Sequence, residues 1–396
     1  YPFQNEDDYL VQRTAESLGL LYAMHWPYHQ HESARGQQRS PLFEALQAQG
    51  ACHGELAGWE RPNWYAGPEQ SPSYQYSYGR QNWFENARRE CEAVRNDVAL
   101  FDQSSFAKYR VTGLDACAYL NYLCTANVDV EPGQTVYCQW LNAEGGIEAD
   151  VTVTRHDEQD YWVVSAAASV VRDLHWMHRH SRRYNVAIMD ITQDWAVIGV
   201  MGPSARVRLQ PYADAPLNDR DFPFATSQHI ELAGSKVIAT RLTYVGALGW
   251  ELYIPRQNAL AVYQTITQTP IQHAGYHAMD SLRIEKAYRH WGHDICDEDT
   301  PLEAGLGFTV DWRKSNTLGL AALTAQKDRG LQRRLILFQL ADEQALMTHE
   351  EPIWSEGERV GTVTSSAYGY SVNASLAFGY VETDIGMTRK EILNKP

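Results

Sequence analysis

Asp150 is the residue whose position most strongly suggests chemistry, because it stands in the middle of a predicted strand. In the segment IEADVTVT (147–154), apolar and polar residues alternate strictly. This period-two pattern is typical of a half-buried strand, so Glu148, Asp150 and Thr152 share one face. Aspartate disfavours strand interiors, since its short carboxylate competes with the ladder for backbone hydrogen bonds. Asp150 is therefore either a fixed carboxylate that lines a pocket or part of a solvated sheet face.

The residues around Asp150 predict a hairpin within a mixed fold. The segment VYCQWLN (136–142) reads as a second strand, and the Gly145-Gly146 pair supplies the turn between the two. Elsewhere, short strands and helices alternate without long crossover connections, which favours an α+β fold over a doubly wound sheet. From about residue 332, short strands and glycine turns predict a small all-β domain, and the charged last residues, MTRKEILNKP, predict a frayed tail.

Composition excludes several classes of protein. A chain of 396 residues is too long for one ordinary core, so roughly two to three domains are expected. The formal charge of −15 makes the chain a poor candidate for binding nucleic acid or an anionic membrane surface. The six cysteines form no CxxC pair, which indicates reduced thiols in a cytosol-like compartment. No apolar run approaches the roughly 20 residues of a membrane span. The start, YPFQNEDDY, has no Met or signal peptide and predicts a processed chain or part of a longer one.

Other site classes find little support. His175, His178 and His180 share a predicted helix, but no carboxylate or Cys partner stands nearby in the sequence, so no metal site is predicted. No GxGxxG follows a strand and no Walker-A loop occurs, so dinucleotides and nucleoside triphosphates are not expected ligands.

Several segments that occur together carry a family resemblance: ECEAVRNDVALFDQSSFAKYRVTG (90–113), YCQWLNAEGGIEADVTVTR (137–155), VMGPSAR (200–206), TYVGALGWELYIP (243–255), DSLRIEKAYRHWGHDI (280–295), TPLEAGLGF (300–308) and GERVGTVTSSAYGYSV (357–372). With them, the chain resembles the aminomethyltransferase (glycine-cleavage T-protein) superfamily over about residues 80–380. It is most similar to the folate-binding C-terminal half of dimethylglycine and sarcosine dehydrogenases. Residues 33–65 resemble the connector that follows the flavin domain of those dehydrogenases.

The resemblance implies a three-subdomain cloverleaf of T-protein type with a C-terminal small β-barrel or jelly-roll domain. It divides the chain into a connector (1–75), a folate-binding domain of two α+β subdomains (76–330) and a truncated C-terminal barrel (331–396).

The resemblance also implies the site residues. Asp150 matches the essential aspartate of the family, whose carboxylate orients the folate amines and takes a proton as a nitrogen attacks the one-carbon unit. Glu251 would accept hydrogen bonds from the aminopyrimidine edge of the pterin, and Tyr244 would supply an aromatic wall and a hydroxyl. Tyr137 and Thr152 would line the same pocket.

Two positions depart from the family pattern. Ala247 replaces a carboxylate in the turn before Glu251, and Met279 stands where T-proteins carry an arginine that holds the glutamate tail of folate. Arg283 is a substitute for that arginine, or else pairs with Glu285 or a neighbour on a solvated helix face.

The predicted function is tetrahydrofolate-dependent one-carbon transfer. The module would capture the methylene unit or formaldehyde from an oxidised N-methylglycine-type amine and yield 5,10-methylenetetrahydrofolate. FAD would enter only through a flavin-binding domain or subunit absent from this chain. The alternatives are a stand-alone folate-dependent demethylase or aminomethyltransferase, and a non-catalytic folate-binding regulatory module. The expected compartment is the cytoplasm, or the mitochondrial matrix in a eukaryote.

Overall fold

The computed structural model describes residues 1–343, 345–387 and 390–391. The chain folds into two compact units. The first contains Tyr1–Ala107 and Ile191–Leu282, and the second contains Lys108–Asp190 and the described residues from Arg283 onward. Within the described ranges, no helix is both long enough and apolar enough to cross a bilayer.

The helices and strands are short. The helices are α1 (Asp7–Leu20), α2 (Phe43–Ala48), α3 (Phe84–Asn96), α4 (Ala116–Leu123), α5 (Val170–Ser181), α6 (Ala205–Leu209), α7 (Ala259–Ile266), α8 (Tyr276–Glu285) and α9 (Leu320–Arg329). The strands are β1 (Gln38–Arg39), β2 (Ala51–Leu56), β3 (Trp59–Tyr65), β4 (Ala99–Asp102), β5 (Ala107–Thr112), β6 (Thr135–Leu141), β7 (Ile147–Asp157), β8 (Asp160–Ser165), β9 (Ala187–Asp190), β10 (Trp195–Met201), β11 (Ser227–Leu232), β12 (Ser235–Thr240), β13 (Gly249–Pro255), β14 (Gln272–His273), β15 (Arg333–Gln339), β16 (Pro352–Ser355), β17 (Glu358–Gly369) and β18 (Ala374–Glu382).

The first unit contains a six-stranded sheet in the order β11-β12-β13-β10-β4-β14. Its pairs are antiparallel except β14 with β4. Apolar side chains of β10 and β13, such as Ile198 and Trp250, are fully buried in the core with those of α7. The segment 58–79 is rich in Trp and Tyr, and its density of aromatic residues predicts that it packs against other parts of the protein. The three-stranded sheet β1-β3-β2 buries Trp59 and Trp64 of this segment.

The second unit contains a five-stranded sheet in the order β6-β7-β8-β5-β9. The predicted hairpin is confirmed, since β6 and β7 pair antiparallel and the turn precedes Ile147. Gly145 has a φ of 88°, in the left-handed region that favours glycine. A Cβ on Gly146 would lie 1.8 Å from the carbonyl oxygen of Asp297, so only glycine fits there. The turn and the following alternation together place Asp150 on the partly exposed face of the sheet.

The C-terminal part of the second unit is a four-stranded antiparallel sheet in the order β15-β18-β17-β16. Leu335, Leu376 and Phe378 pack with Ile284 of α8 in its core. This sheet confirms the small C-terminal all-β domain, and the mixture of helices and sheets confirms the α+β class. The boundaries at about residues 75 and 330 stay predictions. Most of the charged tail lies outside the described residues.

Two sequence patterns predict elements of the wrong extent. The segment DSLRIEKAYRHWG (280–292), with Asp280 as N-cap and Gly292 just after its end, predicts a helix, but α8 begins at Tyr276 and ends at Glu285. It ends early because Ala287 adopts a φ of 56° and the Tyr288 N–H turns back to the carbonyl of Arg283. The segment KVIATRLTYVG (236–246) predicts one strand, but the corresponding strand, β12, ends at Thr240. Periodicity alone does not mark where a chain leaves a sheet.

Candidate functional site

The Asp150 carboxylate is held on β7 by two side chains of the neighbouring strand. Gln139 of β6 stands directly opposite Asp150, and its Nε2 donates to Asp150 Oδ1 at 2.9 Å. The side chain of Tyr137, two residues earlier on β6, also hydrogen-bonds to Asp150. Thr152 lies opposite Tyr137 on the same sheet face. The structure therefore brings Tyr137, Asp150 and Thr152 together on one sheet face and adds Gln139; we call these four residues the Asp150 patch.

The pKa of Asp150 lies close to neutral pH. Burial raises the pKa of Asp150 to about 6, although hydrogen bonds from Gln139 and Tyr137 and the charge of Arg289 lower it in part. Desolvation disfavours the charged form of a carboxyl group, whereas these contacts favour it. A carboxylate with this pKa is ionised at pH 7 and is basic enough to take a proton.

The amide of Gln139 is itself fixed in orientation. Gln139 is fully buried, and the hydroxyl of Thr309, in the 3-10 turn Gly307–Thr309, donates to its Oε1. The amide oxygen is thereby held toward Thr309 and the amide nitrogen toward Asp150. Sequence reasoning missed both residues. The alternation along β6 could have indicated Gln139, but no local signal connects it with Thr309, 170 residues away.

Replacing Gln139 by Leu will raise the pKa of Asp150, because the charged carboxylate loses a hydrogen-bond donor at similar side-chain volume. The pH titration of the ¹³C carboxyl resonance of Asp150 in labelled protein measures this directly. Thr309→Val is the matched control: it leaves Gln139 in place but removes its orienting donor, so a smaller rise is expected. A pKa of Asp150 that is unchanged or lower in Gln139→Leu would contradict the argument.

Glu251 lies on β13 in the first unit, in a row of residues across the six-stranded sheet. Thr240 of β12 is opposite it on one side and Gly199 of β10 on the other. The hydroxyl of Tyr253 donates to Glu251 Oε2 at 2.8 Å. Burial and the neighbouring Glu251 charge hold the pKa of Tyr253 well above its usual range, so this hydroxyl stays a donor. Its bond uses one of the roughly four acceptor positions of the carboxylate.

Gln103 adds an acceptor beside this row. A Cβ on Gly199 would lie 2.5 Å from Gln103 Oε1, so the amide occupies the space that the missing side chain leaves. Gln103 is 3% exposed, and no described group donates to its Oε1. A buried carbonyl oxygen without a donor is costly unless a ligand or water supplies one. Glu251 and Gln103 thus form a second acceptor site, which we call the Glu251 patch.

Tyr244 lies in the connection between β12 and β13, not within a strand. The connection turns at Gly246, whose φ of 67° favours glycine. Thr243 Oγ1 accepts the backbone N–H groups of Val245 and Ala247 at 3.2 and 3.3 Å. Arg95 Nη1 of α3 donates to the carbonyl of Val245 at 2.6 Å. These bonds hold the turn without the carboxylate that Ala247 replaces.

Arg283 corrects a prediction. Its side chain is 1% exposed and pairs with the fully buried Asp294 at 2.5 Å, so it does not lie on a solvated helix face or pair there with Glu285. The buried pair accounts for its charge. In the described part of the chain, no three His, Cys, Asp or Glu side chains gather closely enough to hold a metal ion, and this includes His175, His178 and His180.

Comparison with known families decides the relationship of the chain. The GCVT N-terminal domain matches residues 42–314, and the glycine cleavage T-protein C-terminal barrel domain matches residues 333–393. The chain belongs to the glycine cleavage T-protein family. Residues 1–40 of the chain also match the FAD dependent oxidoreductase central domain.

Similarities to individual proteins and to a solved structure support this family assignment. The chain is 38% identical to the 4-methylaminobutanoate oxidase (formaldehyde-forming) of Paenarthrobacter nicotinovorans, over 97% of the chain and 47% of that protein. It is 34% identical to the mitochondrial sarcosine dehydrogenase of Mus musculus, over 96% of the chain and 46% of that protein. The chain thus spans about half the length of these relatives. The crystal structure of the glycine cleavage system aminomethyltransferase T from Bartonella henselae superposes with a TM-score of 0.76 at 25% identity, covering 88% of this chain and 90% of that one. The predicted family and fold class are confirmed.

Proposed function

We propose that this chain is the tetrahydrofolate-dependent one-carbon transfer module of a flavoenzyme that oxidises N-methylated amino acids. It would capture the methylene unit or formaldehyde released by oxidation and yield 5,10-methylenetetrahydrofolate. The observation that carries the proposal is the Asp150 carboxylate, fixed by Gln139 on a rigid strand and with a pKa of about 6. A carboxylate that is both oriented and poised near neutral pH suits proton transfer better than simple ligand binding.

The Glu251 patch suits the polar edge of a pterin. Such an edge presents N–H donors. The patch offers two acceptors for them, the carboxylate of Glu251 and the amide oxygen of Gln103, to which no described group donates. Because Gly199 has no Cβ, the Gln103 amide oxygen can lie over the sheet beside Glu251, so that both acceptors can face the same ligand edge. We assign Glu251 to the aminopyrimidine edge, Tyr244 to the ring wall, and Tyr137 and Thr152 to the lining around Asp150.

Bound tetrahydrofolate would supply the nucleophilic nitrogen that accepts the one-carbon unit. As this nitrogen attacks the one-carbon unit, the new C–N bond would form while the C=O or C=N π bond opens, and the Asp150 carboxylate would take the proton that the nitrogen loses and release it to solvent. Attack by the second folate nitrogen would then close the methylene bridge and expel water or the demethylated amine. Gln139 would keep the carboxylate oriented throughout, because its amide cannot turn without losing the Thr309 hydrogen bond. Tyr137 would stabilise the ionised form of Asp150 before the transfer.

The flavin connection rests on the N-terminal segment and on the relatives. Residues 1–40 match a domain of FAD dependent oxidoreductases, and one relative is named as a formaldehyde-forming oxidase of an N-methylated amino acid. Helix α1 buries none of its side chains and leaves Val11 and Leu18 largely exposed, as expected of a surface that a flavin-binding domain or subunit covers. We place the protein in the cytoplasm, or in the mitochondrial matrix of a eukaryote.

Calorimetric titration with tetrahydrofolate tests the proposal. We expect binding by the wild-type chain, and we expect Glu251→Gln to weaken it by about 10- to 100-fold, because a charge-assisted hydrogen bond is lost. Glu231→Gln, at an exposed carboxylate of β11 in the same sheet, is the control and should bind like wild type. Absence of binding heat and of a thermal shift in the wild-type chain would end the folate proposal. An unchanged affinity of Glu251→Gln would remove Glu251 from the site.

A further inference from the structure

Arg61 is a cation without a counter-ion. It lies on β3 in the first unit, and its guanidinium stacks 3.9 Å from the centre of the Tyr276 ring, at the start of α8. Its Nε is buried and has no hydrogen-bond partner, and no carboxylate among the described residues forms an ion pair with it. Burial lowers the pKa of Arg61 from its usual value. A partly exposed guanidinium with a covered Nε and no counter-ion among the described residues keeps its charge and its other N–H donors available, so this arrangement suits an anion.

The groups around the guanidinium are neutral. Tyr276, which also hydrogen-bonds to Arg61, shares a hydrogen bond with Ser105 Oγ at 3.1 Å. The hydroxyl of Tyr74 is 2.9 Å from His277 Nε2, and burial lowers the pKa of His277 to about 3, so this imidazole is uncharged at pH 7. None of these side chains can neutralise Arg61.

The carboxylate of Glu55, whose charge acts on Arg61, is already paired with another cation. Its charge raises the pKa of Arg61 but does not offset the larger lowering by burial. Its carboxylate is bonded to Arg13 at 2.8 Å and accepts the backbone N–H of Gly58. Its charge is therefore shared with another cation, and Arg61 keeps most of its own.

We infer that Arg61 anchors a binding site for a ligand carboxylate. The planar guanidinium offers parallel N–H donors that match the two oxygens of a carboxylate, which a lysine ammonium does not. The side chain is partly exposed, so a ligand can reach it even though Nε is covered.

Two ligands could bring such a carboxylate, and naming them rests on the proposed function. One is tetrahydrofolate, through its glutamate tail. The other is the N-methylated amino acid, through its own carboxylate. The hydrogen-bond chemistry at Arg61 is the same for both, so binding experiments have to separate them.

Three probes on wild type, Arg61→Met and Arg61→Lys make the test: tetrahydrofolate, 6-methyltetrahydropterin, which lacks the tail, and sarcosine. If the tail binds Arg61, Arg61→Met will weaken tetrahydrofolate binding by about 10- to 100-fold and leave the pterin unchanged. If the amino acid binds there, Arg61→Met will weaken the binding of sarcosine by this factor and leave the binding of the other two probes unchanged. Arg61→Lys should fall between wild type and Arg61→Met in either case, because it keeps the charge but loses the paired donors.

Affinities of a folded Arg61→Met for all three probes within about twofold of wild type would overturn the site and leave Arg61 as packing for Tyr276. A fourth probe, millimolar glutarate, separates this inference from the proposed function. If wild type binds neither folate nor pterin but glutarate raises its Tm and not that of Arg61→Met, the carboxylate site stands and the proposed function fails. If Arg61→Met does not fold, the comparison of wild type with Arg61→Lys decides, and equal affinities refute the site.

Discussion

Asp150→Asn will lower the rate of methylene transfer by about a thousandfold while tetrahydrofolate still binds. The substitution keeps the size and most hydrogen bonds of the side chain but removes its capacity to take a proton. A general base contributes about 10²- to 10⁴-fold, so the loss falls on the rate and not on the affinity. Formation of 5,10-methylenetetrahydrofolate above the uncatalysed background, and calorimetric titration with tetrahydrofolate, measure the two quantities separately.

Asp157→Asn is the matched control for this prediction, because Asp157 is an exposed carboxylate at the end of the same strand. It should keep the wild-type rate. If Asp150→Asn retained more than about a third of the activity, Asp150 would not be the base. If it instead lost folate binding and kept its rate on the bound ligand, Asp150 would be a binding residue.

The pH profile of the wild-type protein carries the same argument. Asp150 must be ionised to take a proton, and burial raises its pKa to about 6. The rate should therefore rise as the pH increases through about 6 and level off above it. The rising limb should disappear in Asp150→Asn and move to higher pH in Gln139→Leu. A rate that falls as the pH rises through this range would contradict the assignment.

Arg283→Met will destabilise the protein by about 3–5 kcal/mol, because it leaves the carboxylate of Asp294 buried without its cation. Asp294 is fully buried. Its Oδ1 accepts the hydroxyls of Thr364 and Ser365 at 2.7 and 2.6 Å, and its Oδ2 accepts the backbone N–H of His290 at 3.0 Å. These neutral donors stabilise the charge in part but do not balance it. Urea denaturation followed by tryptophan fluorescence measures the loss.

Arg313→Met is the control for Arg283→Met, since Arg313 pairs with Asp311 through a side chain that is 88% exposed. A solvated pair of this kind contributes about 0–1 kcal/mol. The double variant Arg283→Met with Asp294→Leu should recover much of the lost stability, because it removes the stranded charge. Equal urea midpoints for Arg283→Met and Arg313→Met would show that the buried pair contributes no more than the exposed one.

Local patterns in the sequence determined the frame of the site. The glycine turn at Gly145-Gly146 and the alternation from Ile147 onward specified the β6–β7 hairpin and the face on which Asp150 lies. Both are properties of neighbouring residues, because side chains alternate across a strand and glycine alone suits the turn. The co-occurrence of segments in family order indicated the T-protein family. The roles of Tyr244, Glu251, Tyr137 and Thr152 came from that resemblance and stay predictions.

Only the tertiary structure decided which distant groups complete and tune these sites. Gln139 is oriented by Thr309, 170 residues away, and Gln103 fills the space that Gly199 leaves open beside Glu251. Arg283 could be assigned to a solvated helix face because Glu285 follows it two residues later, yet its partner Asp294 is buried with it. Burial and hydrogen bonding between remote segments set the pKa of a carboxylate and the counter-ion of an arginine, and neither quantity is encoded in the spacing of nearby residues.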